Sequence, residues 1–108
     1  MIQKTEYINR EQALNCVGQG WATLINKAYD VLDTYPTLKV IQVKEKWGGL
    51  RIYTDGYIPE VDKIIIELEK SSYNICEVCG AAGNLRGGGW YRTLCEEHAN
   101  GKAIIQPF

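Results

Sequence analysis

From Trp21 onward, apolar residues recur at three- and four-residue intervals: Trp21, Leu24, Ile25, Ala28, Tyr29 and Leu32. That spacing draws one stripe along a helix and predicts that the stripe, Trp21 included, faces a core. Tyr35-Pro36 closes this helix, because the residue before proline avoids the helical region. Upstream, Asn9 or Thr5 stands where an N-cap would, ahead of a short segment from Glu11 to Val17 that Gly18 and Gly20 interrupt. Leu38 to Lys46 carries the β-branched Val40, Ile41 and Val43 and alternates through Gln42 and Lys44, which predicts a strand. Trp47-Gly48-Gly49 supplies a turn, Leu50 to Thr54 the returning strand, and Asp55-Gly56 a second turn. Pro59 then opens a helix with Val61, Ile64, Ile65, Leu68 and also Ile66 on its apolar side, ending near Ser71 to Asn74. The segment Ala103 to Phe108 is apolar enough to pack as an edge strand. The order is N-terminal helix, β-hairpin, second helix and a C-terminal Cys/His-rich segment. It predicts an α+β fold in a single small domain over residues 1–108, with 76–100 as an integrated module.

That module carries the clearest chemistry. Cys76-x2-Cys79 is followed, fifteen residues later, by Cys95-x2-His98. Ligands two residues apart can reach one ion, and two such pairs make the tetrahedral N/S shell that zinc prefers. Gly80 lets the backbone turn tightly beside Cys79. A disulfide reading leaves His98 unexplained. Four protein ligands close the shell, so the expected Zn²⁺ is structural. A Cys-x-x-Cys-Gly knuckle, a short strand from Trp90 to Leu94 and a second pair on the first turn of a helix resemble a treble-clef finger. Nucleases of the His-Asn-His type, which some treble clefs carry, need a further histidine, and this chain has one. No other catalytic constellation is present, so the expectation is a protein that is not an enzyme. Cys16 reads as a small buried hydrophobe.

Composition narrows the remaining choices. At 108 residues, 45% hydrophobic and 23% charged, the chain suits a small globular protein. The formal charge of −1 would become about −2 with three thiolates and Zn²⁺, which argues against a protein that coats nucleic acid. No apolar run approaches a membrane span, and Met1-Ile2-Gln3-Lys4 lacks leader character. Reduced, metal-bound cysteines predict a cytoplasmic location.

Against that acidic background, Lys39, Lys44, Lys46 and Arg51 face only Glu45, giving a local charge of +3. Trp47 and Tyr53 sit among them. A second cluster is Arg86, Gly87-Gly88-Gly89, Trp90, Tyr91 and Arg92. Phosphates suit the cations, and base rings suit the aromatics. Lys44, Lys46, Arg51, Arg86 and Arg92 would hold phosphate; Trp47, Tyr53, Trp90 and Tyr91 would stack. The competing reading, preferred on residue type alone, is a solvated strand face with Trp47 and Trp90 plugging the core beneath their turns.

The block Val43-Lys44-Glu45-Lys46-Trp47-Gly48-Gly49-Leu50-Arg51-Ile52-Tyr53 is distinctive. Together with Gly20-Trp21, Cys76-Glu77-Val78-Cys79-Gly80 and Gly89-Trp90-Tyr91-Arg92-Thr93-Leu94-Cys95-Glu96-Glu97-His98, it resembles a family of small phage and prophage zinc-finger proteins. Family members more often have phenylalanine at the position of Trp47. The resemblance covers most of residues 18–99 and implies a phage accessory protein in the host cytoplasm, without an established activity. Three functions follow as expectations. The first is a non-catalytic sponge for a nucleotide-type immune signal. The second is an inhibitor or adaptor that docks on a host protein through the tryptophans and the apolar tail Ile104-Ile105-Gln106-Pro107-Phe108. The third, ranked lowest, is a nucleic-acid-binding finger. A homo-oligomer is compatible with each.

Overall fold

The computed structural model describes residues 6–105, so Thr5, Gln106, Pro107 and Phe108 lie outside the described residues. The chain is a mixture of helices and two small antiparallel sheets. Helix α1 (Arg10–Leu14) begins at Asn9, whose side chain accepts the Gln12 N–H while the Gln12 side chain accepts the Asn9 N–H. This reciprocal cap satisfies two end donors at once. The helix stops at Asn15, short of the expected Val17. Arg10 then ties it to helix α2 (Ala22–Leu32) through Asp30 and Asp33, at 3.0 and 2.9 Å.

Helix α2 buries Leu24, Ile25, Ala28, Tyr29 and Leu32, and Trp21 in the short 3₁₀ turn before it is fully buried. Every residue of the predicted stripe therefore reaches the core. Helix α3 (Pro59–Ser71) buries Val61, Ile65 and Leu68. Ile64 and Ile66, placed on the apolar side by sequence, are exposed. One turn of helix offers a core only a narrow arc, and Val61, Ile65 and Leu68 fill it.

The hairpin pairs β1 (Lys39–Lys46) with β2 (Gly49–Asp55). Strict alternation fails at Ile41, because the register shifts between Val40 and Gln42. Such a bulge inserts one unpaired residue, so Val40 and Val43 both face the core despite their odd spacing. The outer edge of β2 is capped by side chains from the end of α3 and the 3₁₀ turn that follows. The Leu50 N–H donates to Ser72 Oγ and the Ile52 N–H to Glu69 Oε2, both at 2.9 Å. Burial pushes the Glu69 carboxyl above its ordinary value, and the bond from Ile52 opposes that rise.

Beyond Ile75 the elements are short: β3 (Asn84–Arg86) pairs with β4 (Arg92–Leu94). The expected strand from Trp90 is two residues shorter, leaving Trp90 and Tyr91 in the connecting loop. The C-terminal segment runs beside β3 as a bridge rather than a full strand: Ile104 pairs with Arg86, and the Ile105 N–H donates to Leu85 O. Residues 96–98 form a turn, not the expected helix. The His98 N–H reaches back to Cys95 O at 3.2 Å, and the chain leaves that turn before a helical run is established.

Ser72 is fully buried, and its hydroxyl is the acceptor for the β2 edge. Ser72→Ala should cost about 1–3 kcal/mol, the usual cost of orphaning a buried donor. Urea unfolding checks this; an unchanged midpoint would remove the edge-capping role.

Candidate metal centre and aromatic groove

Two turns bring the four sequence-predicted ligands together. In the first, the Cys76 N–H donates to Ala81 O and the Gly80 N–H to Cys76 O, at 2.8 and 2.9 Å. The second follows β4 and carries Cys95 and His98. The four ligand atoms all lie within 4.8 Å of one another. Cys79 Sγ is 3.7 Å from Cys95 Sγ, and His98 Nδ1 is 3.2 Å from Cys95 Sγ and 3.7 Å from Cys76 Sγ. Ligands at about 2.3 Å from a tetrahedral ion have edges of roughly 3.8 Å, so these separations suit one small metal ion. All four cysteines are free thiols.

The electrostatics favour at least one thiolate. Burial opposes ionisation of Cys76, yet N–H groups of Cys79, Cys95 and Val78 are directed at its sulfur and bring its pKa down to about 6. At Cys79 the Ala81 amide favours the thiolate, but desolvation and the neighbouring Cys95 and Cys76 sulfurs outweigh it and push the thiol up. Cys16 is exposed and apart from the cluster. The buried position expected for it is not found: α1 ends at Leu14, and Cys16 lies in the exposed turn that follows.

The metal turns are packed against the first half of the chain. The Gly20 N–H donates to Glu77 O, and a Cβ at Gly20 would collide with the Cys76 and Glu77 backbone. Trp21 Nε1 donates to Ile75 O at 2.8 Å. The Glu77 N–H bonds Thr93 O, and the Thr93 hydroxyl donates to Gly48 O at 2.6 Å. Thr93 therefore links the first metal turn to the tip of the hairpin.

That tip is strained. Trp47 and Gly48 both have positive φ, 56° and 82°. A two-residue hairpin turn with this backbone normally takes Asn-Gly; a bulky residue there costs on the order of 1–2 kcal/mol. The Glu45 carboxylate accepts the Gly48 N–H at 2.7 Å and helps to hold the turn. The strain puts Trp47 outside: it is 59% exposed, and Trp90 is 70% exposed. Neither plugs the core, so the reading preferred from residue type is corrected for both. Trp47 instead meets Tyr91, with ring centroids 5.9 Å apart and planes at 50°.

The hairpin tip and the Gly87–Trp90 loop thus enclose a groove of about 680 Å³ whose charged lining residues are Glu45 and Lys46. The other cations named from sequence lie elsewhere. Arg86 is 4% exposed, with its guanidinium donating to Leu94 O, Lys102 O and Glu96. It braces the segment from Leu94 to Lys102 and is buried away from the groove. Arg51 donates to Leu50 O and the Tyr73 hydroxyl. Arg92 pairs with the buried Glu77 carboxylate, whose pKa burial raises while Arg92 opposes the rise. Lys44 lies over the Tyr53 ring on the open face of the hairpin. Sequence missed Lys102, whose ammonium donates to Trp90 O at 3.1 Å and holds the loop from behind; its distance from the glycines in sequence concealed it.

No family model, curated protein or solved structure matches this chain, so the chemistry of the site rests on its own residues. No helix among the described residues is long and apolar enough to cross a membrane.

Cys79→Ser should leave less than one equivalent of metal per chain and destabilise the segment from Cys76 onward, because metal-binding energy is folding energy there. Metal analysis with thermal unfolding checks it; full loading with native stability would contradict it. Trp47→Asn should change stability by no more than about 1 kcal/mol, since relief of strain and loss of the Tyr91 contact are similar in size. A loss of about 3–5 kcal/mol in chemical denaturation would mean that Trp47 is a core residue after all.

Proposed function

We propose that this chain is a non-catalytic accessory protein of the phage type. In this reading structural zinc secures a treble-clef-like finger, and the aromatic groove sequesters a small phosphate-bearing ligand of the nucleotide class. The observation that carries it is the convergence of three exposed rings, Trp47, Trp90 and Tyr91, on one glycine-lined groove beside Lys46. Exposed aromatics gathered in a concavity cost a protein solubility, and stacking on a planar ligand offsets that cost. The volume lies within the range of small-molecule sites. Zinc is favoured over other ions by a three-sulfur, one-nitrogen set at tetrahedral spacing. The single histidine belongs to that set, which leaves no imidazole for general-base chemistry. A sponge needs only affinity.

Docking on a host protein is the competing role, and exposed Ile104, next in sequence to the groove-lining Ile105, would serve it. Native mass spectrometry of protein purified gently from an infected, defence-activated host separates the two. The proposal predicts one zinc and a retained mass of a few hundred daltons, lost in Trp90→Ala, with affinity reduced roughly tenfold to a hundredfold for one stacking ring. A zinc-loaded chain that carries no small molecule but a stoichiometric host polypeptide would replace sequestration with protein docking.

A further inference from the structure

We infer that the groove recognises its ligand mainly by ring stacking and matches a single phosphate group, so its class is nucleoside monophosphates and comparable single-phosphate esters rather than polyphosphates. This rests on the groove being the nucleotide site proposed above.

The charge inventory leads to this class. Five cations were available from sequence, but only Lys46 lines the groove. Its side chain is exposed, and its ammonium has no hydrogen-bond or ion-pair partner among the described residues. Arg86, Arg51 and Arg92 are held by Leu94 O, Tyr73 and Glu77 respectively. Lys102 stands behind the loop, its ammonium on Trp90 O. Glu45, the other charged lining residue, balances Lys46 formally. One of its oxygens takes the Gly48 N–H. The other has no partner among the described residues and repels an anion placed against it.

Magnitudes then set the order of effects. Lys46 is exposed and screened by water, so a unit charge about 4 Å from its ammonium gains roughly fivefold in affinity, about 1 kcal/mol. The second and third phosphates of a polyphosphate would meet no further lining cation and would face Glu45. Stacking contributes roughly fivefold to a hundredfold in affinity per base, and three exposed rings border the groove. The base therefore carries most of the affinity, and Lys46 discriminates the first phosphate.

The test is calorimetry of the zinc-loaded protein in magnesium-free buffer. The probes are adenosine and guanosine with their 5′-mono-, di- and triphosphates. The expected pattern is measurable nucleoside binding, a gain of roughly threefold to tenfold at the monophosphate, and no gain beyond it. Lys46→Ala should erase the monophosphate advantage and leave the nucleoside unchanged; Trp90→Ala should weaken all forms alike. A gain of tenfold or more with each added phosphate, or equal weakening of nucleoside and nucleotide by Lys46→Ala, would overturn the inference while leaving the groove a nucleotide site. Absence of binding by every probe would remove the nucleotide reading itself, and this inference with it.

Discussion

Four potential ligand atoms within one small volume sit where a single bound ion would join two turns that have almost no apolar core of their own. Among the described residues past Ile75 there are two strands of three residues each and a buried apolar cluster of Cys76, Leu94 and Cys95. So small a core does not offset the entropy of ordering some thirty residues; units of this size ordinarily need a metal or disulfides. The first half of the chain stands differently. Fifteen buried residues form a continuous core among the described residues: Trp21 and Leu38 from the connections, and the rest from α1, α2, α3 and the hairpin. An ion bound by the Cys/His cluster would therefore set whether the second half has a defined shape, and the first half supplies the surface on which that shape is built.

The groove inherits this dependence on both sides. One wall is the hairpin tip, fixed by Thr93 Oγ1 on Gly48 O while Thr93 O holds the Glu77 N–H of the first metal turn. The other wall is the glycine loop, fixed by Lys102 on Trp90 O and by the Gly87 N–H on Ala103 O. Lys102 and Ala103 follow the second metal turn directly. A bulky residue with φ at 56° sits at the junction. Backbone strain at an exposed aromatic is not rewarded by core packing, so the turn is held by its hydrogen bonds to Glu45 and Thr93.

Much of the fold was legible because local rules and tertiary contacts agreed. The α2 stripe, the hairpin turn and the metal-ligand spacing each reflect a constraint acting over a few residues. Reading failed where a distant segment decided the outcome. Arg86, next to three glycines, looks like a ligand-binding arginine; residues 96 and 102 enclose its guanidinium and make it a brace. Trp47 and Trp90 look like core plugs, because exposure of a tryptophan depends on turn backbone and on what the neighbouring loop covers. The bulge at Ile41 defeats simple alternation, and Ile64 and Ile66 are apolar on a helix whose core-facing arc is already filled.

The most direct measurement is ¹⁹F NMR of protein labelled with 5-fluorotryptophan, which reports its three tryptophans separately, during titration with a zinc chelator. The account predicts that the Trp47 and Trp90 signals lose their dispersion together as metal is removed. Trp21, buried among α2 and the hairpin, should keep a shifted, folded-state resonance. Trp47 and Trp90 signals that remain dispersed and unshifted in the metal-free protein would contradict the claim that the metal turns build the groove.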